Sequence, residues 1–390
     1  MNAEKIRKDF PVLAKGITYL DSACQSLRPI SVIDKINEYY KEYPGCGGRS
    51  YHSISKKVDE EVTAARKIIQ KFFNAKKQEE IIFTRNTTEG INLVANSLGL
   101  KEGDIVLSSD KEHNSNLIPW QMLAKNGIKH EFYTFGDIAD FKSKLNKNVK
   151  LIATGQTSNM DGTTQPVQEI IKLAHENKSL VLLDGAQSAP HKPVDFRKLD
   201  VDFFACSGHK MMAPSGIGML YGKYELLEKM NPFLTGGETV EDSTYETCKF
   251  LNPPEKFEAG LQHYAGIIGF GEAVRYLSKI GMETIMKHEL ELNRKITAAL
   301  AGKISILGTD EADKRGSILS FNIGKMDPHS IAIMLDKSAK IMIRSGAHCV
   351  HSWFNKHNLS GSARASLYVY NNEADAEKFI KEIEKIKSLS

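Results

Sequence analysis

The stretch Leu180-Val181-Leu182-Leu183-Asp184-Gly185-Ala186-Gln187 decides the fold class, because a short apolar run ends abruptly on an acidic residue and a glycine. Similar apolar runs recur before and after it, and longer amphipathic stretches separate several of them. Strands that alternate with helices indicate an α/β fold with a mostly parallel sheet that helices cover on both faces. The predicted strands are Ile81–Thr84, Ile105–Ser108, Lys150–Ala153, Leu180–Leu183, Phe203–Cys206 and Gly218–Tyr221, and the predicted helices include Glu89–Leu98 and Val167–Asn177.

The character of the sequence changes after about residue 270, where fewer strands and longer helices are predicted. A chain of 390 residues is too long for one small core, so we expect a second, smaller α+β domain. We predict a large domain over residues 14–270 and a small domain formed by residues 1–13 and 271–390. The predicted elements of the small domain are helices at Met282–Leu300, His329–Leu335 and Glu373–Lys387 and strands at Ser317–Asn322, Ile341–Arg344 and Ala365–Tyr370.

Composition excludes several classes of protein. The chain is 41% hydrophobic and 26% charged, and its formal net charge is only +4. The lysine-rich stretches 71–77 and 142–150 lack interleaved aromatic residues, which favours solvated faces over a nucleic-acid site. No apolar run approaches the ~20 residues of a membrane helix, and five scattered cysteines predict neither a disulfide framework nor a metal site. We expect a cytoplasmic protein that binds neither membranes nor nucleic acid.

The strongest chemical signal is Ser207-Gly208-His209-Lys210, which directly follows the predicted strand Phe203–Cys206. Asp184 ends a second strand, and ligands of such sheets gather at the carboxyl ends of the strands. Pyridoxal 5′-phosphate needs a lysine that forms an imine and an acid that keeps the ring nitrogen protonated. A surface lysine and a helix-capping aspartate explain each residue alone, but their order and placement together favour this cofactor.

Further polar residues at strand ends suit the same cofactor. Arg85-Asn86-Thr87-Thr88-Glu89-Gly90 opens a helix whose N-terminus, with the hydroxyls of Thr87 and Thr88, suits a phosphate, although a plain helix cap has the same pattern. His113 can stack on the pyridine ring and take part in proton transfer. The side-chain amides of Asn159 and Gln187 can form a hydrogen bond to the phenolic oxygen of the cofactor. Ser207 and His209, beside the lysine, can complete the phosphate site.

Two arginines and a cysteine indicate the substrate side of the site. Arg364 lies at the start of a predicted strand. A guanidinium forms paired hydrogen bonds to a carboxylate such as that of an α-amino acid. Arg344 opens a loop that contains glycine and serine and leads to Cys349. A neighbouring arginine and histidine favour the thiolate, although most free cysteines are small buried apolar residues.

Taken together, these motifs resemble the class V aminotransferase-fold proteins of fold type I, and specifically cysteine desulfurases of the SUF type and the related selenocysteine lyases. The resemblance extends in consistent order over nearly the whole chain. The matching stretches are residues 19–23, 87–92, 116–121, 184–187, 207–210, 257–260 and 364–367.

The resemblance implies a homodimer with the active site near the subunit interface. It implies that Lys210 binds the cofactor, Asp184 pairs with the ring nitrogen and His113 stacks on the ring. Thr88, Ser207 and His209 would hold the phosphate. Gln187 would reach the phenolic oxygen, and Arg364 would bind the substrate carboxylate.

Cys349 matches the mobile-loop cysteine of this family. The resemblance implies that its thiolate takes sulfur from L-cysteine as a persulfide and leaves L-alanine. A separate acceptor protein would receive the sulfur for iron–sulfur cluster assembly or thiolation. The alternatives are cleavage of L-selenocysteine, another C–S lysis or transamination on the same fold, and a non-catalytic scaffold that binds a sulfur acceptor.

The sequence departs from the family pattern in three places. Leu261 stands where a threonine usually reaches the partner subunit's cofactor phosphate, and Gln156 replaces a histidine. The segment of residues 46–52 is unusual, with Cys46 and Arg49 near the expected substrate side. From this segment we assign His52, together with Arg344 and Arg364, to substrate binding.

Overall fold

Short strands and longer helices alternate along the computed structural model, which describes residues 1–48 and 50–389. Every strand predicted for the large sheet is present, with ends that differ by at most two residues. The strands are β1 (Thr18–Tyr19), β2 (Ile81–Thr84), β3 (Ile105–Ser109), β4 (Lys129–Tyr133), β5 (Val149–Gly155), β6 (Leu180–Asp184), β7 (Phe203–Ser207), β8 (Gly218–Gly222), β9 (Val240–Ser243), β10 (Cys248–Phe250), β11 (Ser305–Ile306), β12 (Ile318–Asn322), β13 (Ile341–Met342), β14 (Arg344–Gly346) and β15 (Ser362–Ser366).

The helices cover both faces of the large sheet, and others pack against the strands of the C-terminal part. Short 3₁₀ turns, one of them at Gly208–Lys210, connect some of the elements. The helices are α1 (Ala3–Arg7), α2 (Ile30–Glu42), α3 (Ser53–Phe72), α4 (Thr87–Ser97), α5 (Ile118–Met122), α6 (Ile138–Lys144), α7 (Val167–Glu176), α8 (Phe196–Leu199), α9 (Tyr224–Leu227), α10 (Tyr264–Ile280), α11 (Met282–Leu300), α12 (Ala312–Arg315), α13 (Pro328–Ala339), α14 (His351–Lys356) and α15 (Glu373–Lys387). Among the residues that the structure describes, no helix is long and apolar enough to cross a membrane.

The central sheet has seven strands in the order β2-β8-β7-β6-β5-β3-β4. Only β8 runs against its neighbours, so β2, β3, β5, β6 and β7 all point the same way. Alternate residues of a strand face opposite sides, and accordingly Ile82 and Leu182 join one apolar cluster while Leu183 joins the other. The predicted α/β fold with a mostly parallel central sheet is confirmed.

One strand of this sheet was missing from the sequence prediction. β4 lies at the edge of the sheet and pairs only with β3, and its residues Lys129 to Phe132 are not buried. An edge strand needs no continuous apolar run, so its sequence lacks the signal that identified the buried strands.

The C-terminal part contains a four-stranded antiparallel sheet in the order β11-β12-β15-β14. The predicted strand at Ala365–Tyr370 is wrong in its bounds, since β15 ends at Ser366. The apolar run that follows it is buried, but Tyr368 and Tyr370 pack into the large core and the amide N–H of Tyr368 donates to Asn371. Burial therefore mimicked the pattern of a strand in this segment.

The N-terminal segment connects the two parts of the molecule. Arg7 of α1 bonds to the Tyr370 carbonyl and to the Asp375 carboxylate, each at 2.6 Å. β1 pairs with β13, and Asp21 forms a bridge with Ser366 at the end of β15. Residues 18–24 are thereby placed where the two parts meet. The division into residues 14–270 and the remainder stays a prediction.

Candidate active site

A cavity of about 250 Å³ lies at the carboxyl edge of the large sheet. The carboxyl ends of β6 and β7 meet there because these strands are parallel neighbours. Twelve of the thirteen residues predicted for the site line this cavity. They are Thr87, Thr88, His113, Asn159, Asp184, Gln187, Ser207, His209, Lys210, Arg344, Cys349 and Arg364.

His52 is the one predicted residue that does not line the cavity. Its side chain is exposed, and Nδ1 accepts a hydrogen bond from the Ser55 amide at 3.2 Å at the start of α3. It therefore caps a helix in this chain. Leu261 is 71% exposed and also does not line the cavity, and Arg49 lies outside the described residues.

Lys210 and Asp184 are an amine and a carboxylate that line the cavity together. Lys210 ends the 3₁₀ turn after β7, and Asp184 is the last residue of β6. Burial lowers the pKa of Lys210, and the negative charge of Asp184 opposes that shift. Burial raises the pKa of Asp184, while the Ala186 amide at 2.9 Å and the charge of Lys210 oppose that change. An amine whose pKa is lowered by burial is activated as a nucleophile toward carbonyl carbon.

Hydroxyl groups collect at the N-terminus of α4. The Asn86 side chain caps this helix by accepting from the Glu89 amide at 3.0 Å. The hydroxyls of Thr87 and Ser207 are 2.6 Å apart, and the hydroxyl of Thr88 is 2.7 Å from that of Ser115. A helix N-terminus surrounded by hydroxyls favours a phosphate group.

His113 and His209, two of the three histidines that line the cavity, are held neutral. Burial, followed by the charges of Lys210, Arg364 and Arg344, lowers the pKa of His113 to about 3. Its Nδ1 accepts from the Ser115 amide at 3.0 Å, which fixes the orientation of the ring. Burial lowers the pKa of His209 to about 4. A neutral imidazole can lie over a cationic aromatic ring without charge repulsion.

Glu112 is a residue that the sequence analysis did not assign to the site. It is fully buried beside His113, and its carboxylate accepts from Asn116 Nδ2 at 2.7 Å and from the Gly155 amide at 2.9 Å. Burial raises its pKa to about 7. An acidic residue next to a predicted site histidine after a strand was the signal that could have found it.

The two amide side chains predicted for the site have different roles. Gln187 Nε2 donates to the Ala23 carbonyl at 2.7 Å, and its Oε1 is buried without a hydrogen-bond partner among the described residues. Asn159 Nδ2 instead donates to the His348 carbonyl at 2.7 Å. Asn159 is therefore bound to the segment that carries Cys349, whereas Gln187 keeps an unpartnered polar atom for a ligand.

Arg344 and Arg364 are directly opposite each other in neighbouring strands, β14 and β15. Arg364 is buried, and its Nη1 donates to the Asn159 carbonyl at 2.7 Å. Its Nη2 lies 3.7 Å from Asp21, and its buried Nε has no hydrogen-bond partner among the described residues. The Nε and Nη2 edge of Arg364 is thus available to both oxygens of a carboxylate.

Cys349 lies in a strained segment at the side of this cavity. Its φ is +60° and that of His348 is +49°, in a region that residues other than glycine rarely adopt. The Cys349 carbonyl accepts from the Asn114 amide at 2.8 Å, and its Sγ is 4.0 Å from Arg344 Nη2. Such strain persists only where surrounding contacts hold it, and it is concentrated at functional sites.

These residues fit pyridoxal 5′-phosphate group by group. Lys210 offers an amine in the cavity, Asp184 a buried carboxylate, and the α4 N-terminus a set of hydroxyls for the phosphate. The unpartnered Oε1 of Gln187 and Nε of Arg364 are polar atoms that a cofactor and a substrate would satisfy. The fold and the site together define a pyridoxal-phosphate-dependent enzyme of fold type I.

Comparison with known proteins gives the family. The family model described as aminotransferase class-V matches residues 18–379. A probable cysteine desulfurase of Halalkalibacterium halodurans is 40% identical over 406 residues, which cover 99% of this chain and 98% of that protein. The apo structure of a cysteine desulfurase from Thermococcus onnurineus superposes with a TM-score of 0.95 at 37% identity and covers 99% of this chain and 98% of that chain.

A second solved structure agrees. The cysteine desulfurase CsdA of Escherichia coli, in its S-sulfonic acid form, has a TM-score of 0.92 at 30% identity and covers 100% of this chain and 99% of that chain. The chain therefore belongs to the aminotransferase class-V family. This family depends on pyridoxal phosphate, so the cofactor predicted from Lys210 and Asp184 is confirmed. The roles of the individual site residues stay predictions.

Proposed function

We propose that this protein is a cysteine desulfurase that converts L-cysteine to L-alanine and keeps the sulfur as a persulfide on Cys349. The observation that carries the proposal is that Cys349, Lys210 and Arg364 line one cavity. A sulfur nucleophile, an imine-forming amine and a carboxylate clamp are the three groups that this reaction requires.

Arg364 binds the substrate. Its Nε and Nη2 atoms hold the α-carboxylate, while Nη1 stays on the Asn159 carbonyl. The bound cofactor supplies an electron sink that stabilises negative charge on the substrate carbon. Lys210 moves the α-proton, because burial lowers the pKa of its amine and favours the unprotonated form that accepts a proton.

Cys349 performs the sulfur transfer. Its thiolate attacks the substrate sulfur, the C–S bond breaks, and the electron pair of that bond remains on the carbon that becomes the methyl group of alanine. Arg344 Nη2, 4.0 Å from Sγ, stabilises the negative charge of the thiolate. The methyl carbon takes up a proton equivalent to the one that Cys349 loses when its thiolate forms. His113 lines the same cavity and stays neutral, and because its Nδ1 accepts from the Ser115 amide, its Nε2 carries the ring proton and can donate a hydrogen bond within the cavity.

The proposed assembly is a homodimer in the cytoplasm that passes sulfur to a separate acceptor protein for iron–sulfur clusters or thiolation. Ile118 and Met122, 44% and 58% exposed, give the surface beside Thr88 and Ser115 an apolar character. The exposed Leu261 gives a second apolar position. Exposed apolar residues on a surface support a partner subunit that covers them.

The direct test is to incubate the purified protein with L-cysteine and to measure alanine and the mass of the Cys349 peptide. We expect the amount of alanine formed to increase in proportion to the amount of sulfur released. We also expect a persulfide on Cys349. Cys349→Ala should abolish both and retain the absorbance of the cofactor imine. Lys210→Ala should lose that absorbance, and Cys248→Ala, a change at an exposed cysteine, should alter neither property.

Two outcomes would contradict the proposal. If Cys349→Ala still produced sulfide and pyruvate at the original rate, the protein would be a simple C–S lyase. If the wild-type protein bound no cofactor and consumed no cysteine, it would be a scaffold for a sulfur acceptor.

A further inference from the structure

Cys24 lies in the same cavity as Cys349, although the two cysteines come from opposite ends of the chain. One guanidinium contacts both sulfurs. Arg344 Nη1 donates to Cys24 Sγ at 2.6 Å, and Nη2 lies 4.0 Å from Cys349 Sγ. A guanidinium that contacts two sulfurs through its two terminal nitrogens stabilises negative charge on either of them. The site therefore contains two cysteine sulfurs that share one cation.

The backbone around Cys24 is held by contacts from both parts of the molecule. The Cys24 amide donates to the Asp21 carbonyl at 3.0 Å, and the Ala23 amide donates to the Ser366 hydroxyl at 2.9 Å. The Ala23 carbonyl accepts from Gln187 Nε2 at 2.7 Å. Cys24 is thus a fixed sulfur, whereas Cys349 lies in a segment with left-handed backbone angles.

The other cysteines lack this environment. Cys206 is fully buried, and Cys46 Sγ contacts the carbonyl of its neighbour Gly47 at 3.3 Å. Cys248 is exposed in β10. None of these three lines the cavity, so Cys24 is the cysteine that shares this cavity with Cys349.

We propose that Cys24 is a second sulfur carrier that accepts the outer sulfur of the Cys349 persulfide. The inference rests on the proposed function, because it needs a persulfide on Cys349. The Cys24 thiolate attacks the outer sulfur, a new S–S bond forms at Cys24, and the S–S bond at Cys349 breaks. Cys349 leaves as the thiolate and the outer sulfur keeps its proton. One thiolate and one persulfide are present both before and after the exchange, so the step needs no oxidant or reductant.

The exchange has a chemical consequence for the enzyme. Once sulfur is on Cys24, the Cys349 thiolate is free again for a second substrate molecule while Arg344 still contacts both sulfurs. The protein would then hold two transferable sulfur atoms in one cavity in the absence of an acceptor.

The test is to incubate the cofactor-loaded protein with L-cysteine, block the thiols and persulfides with an alkylating reagent, and map each cysteine peptide by mass spectrometry. We expect one added sulfur on Cys349 and on Cys24, and none on Cys248. Cys349→Ala should lose the signal at both positions. Cys24→Ser, which changes only sulfur to oxygen, should keep the signal on Cys349 and lower the total bound sulfur from two atoms to one at most.

The outcomes separate this inference from the proposed function. A persulfide on Cys349 with none on Cys24 would overturn the carrier role and leave the desulfurase intact. Equal labelling of Cys24 and the exposed Cys248 would indicate random exchange and would also overturn it. Persulfide on Cys24 in Cys349→Ala would make Cys24 the attacking residue instead. If neither alanine nor any persulfide formed, both proposals would fail together.

Discussion

Replacing Arg364 by lysine tests how the substrate carboxylate is held. The substitution keeps the positive charge but removes the paired Nε and Nη2 donors. These two are the donors available to the substrate, because Nη1 is already bound to the Asn159 carbonyl. A hydrogen bond to a charged group contributes about 1.5–3 kcal/mol, so the loss of one should lower kcat/KM about 10- to 150-fold. The carboxylate is bound throughout the reaction, so most of the change should appear in KM.

The assay is the initial rate of alanine formation over a range of L-cysteine concentrations. The cofactor absorbance should be unchanged, which distinguishes a substrate defect from a loss of the cofactor site. Arg294→Lys is the matched control, because Arg294 pairs with Asp313 on an exposed face of α11 and should give wild-type kinetics. A decrease of less than about threefold in Arg364→Lys would refute the paired-donor geometry, since it is below the weakest such bond.

Three further changes address the cofactor site, the fold and its pH dependence. Asp184→Asn should retain the cofactor absorbance in shifted form and lower kcat, because a neutral amide cannot hold the ring nitrogen protonated; an unchanged kcat would contradict the pairing. Glu258→Gln should cost about 3–5 kcal/mol in urea unfolding, because Glu258 makes two bonds, of 2.7 and 2.8 Å, to buried Arg66, and a charge left unpaired in the interior is strongly destabilising; a loss below ~1 kcal/mol would contradict this. In Glu112→Gln, the stability of the protein should fall less between pH 5 and 7 than in the wild type. Burial raises the pKa of Glu112 to about 7, so the stability that protonation contributes is present at low pH and is lost as pH rises through that value; parallel curves for the two proteins would refute it.

Most of the large sheet could be predicted from the sequence because its signals are local. A run such as Leu180–Leu183 is apolar on both faces, as a strand covered by helices on both sides must be. β4 lacked this signal because it lies at the edge, and the bounds of β15 were wrong because Tyr368 and Tyr370 are buried without belonging to the sheet. In the centre of a sheet the buried residues are also the paired residues. At its margins a residue can be paired without being buried, or buried without being paired.

The candidate site was predicted in part for the same reason. Lys210 and His113 each follow a strand and Asp184 ends one, and parallel strands bring their carboxyl ends to one edge. His52 was assigned from its nearness in sequence to an unusual segment, and the structure places it on a helix cap instead. Glu112 was passed over because its burial depends partly on Thr154 and Gly155, which donate to it from a strand about forty residues away in sequence.

The sequence by itself determined the order of strands and helices, the residue types at the strand ends and hence the class of cofactor, since these depend on patterns a few residues long. Only the tertiary structure decided that Arg344 is opposite Arg364 and that Cys24 contacts Arg344 across 320 residues of sequence. Strand register and the packing of β1 against β13 bring these groups together. Both are non-local contacts, so no local pattern of residues can encode which side chains will meet.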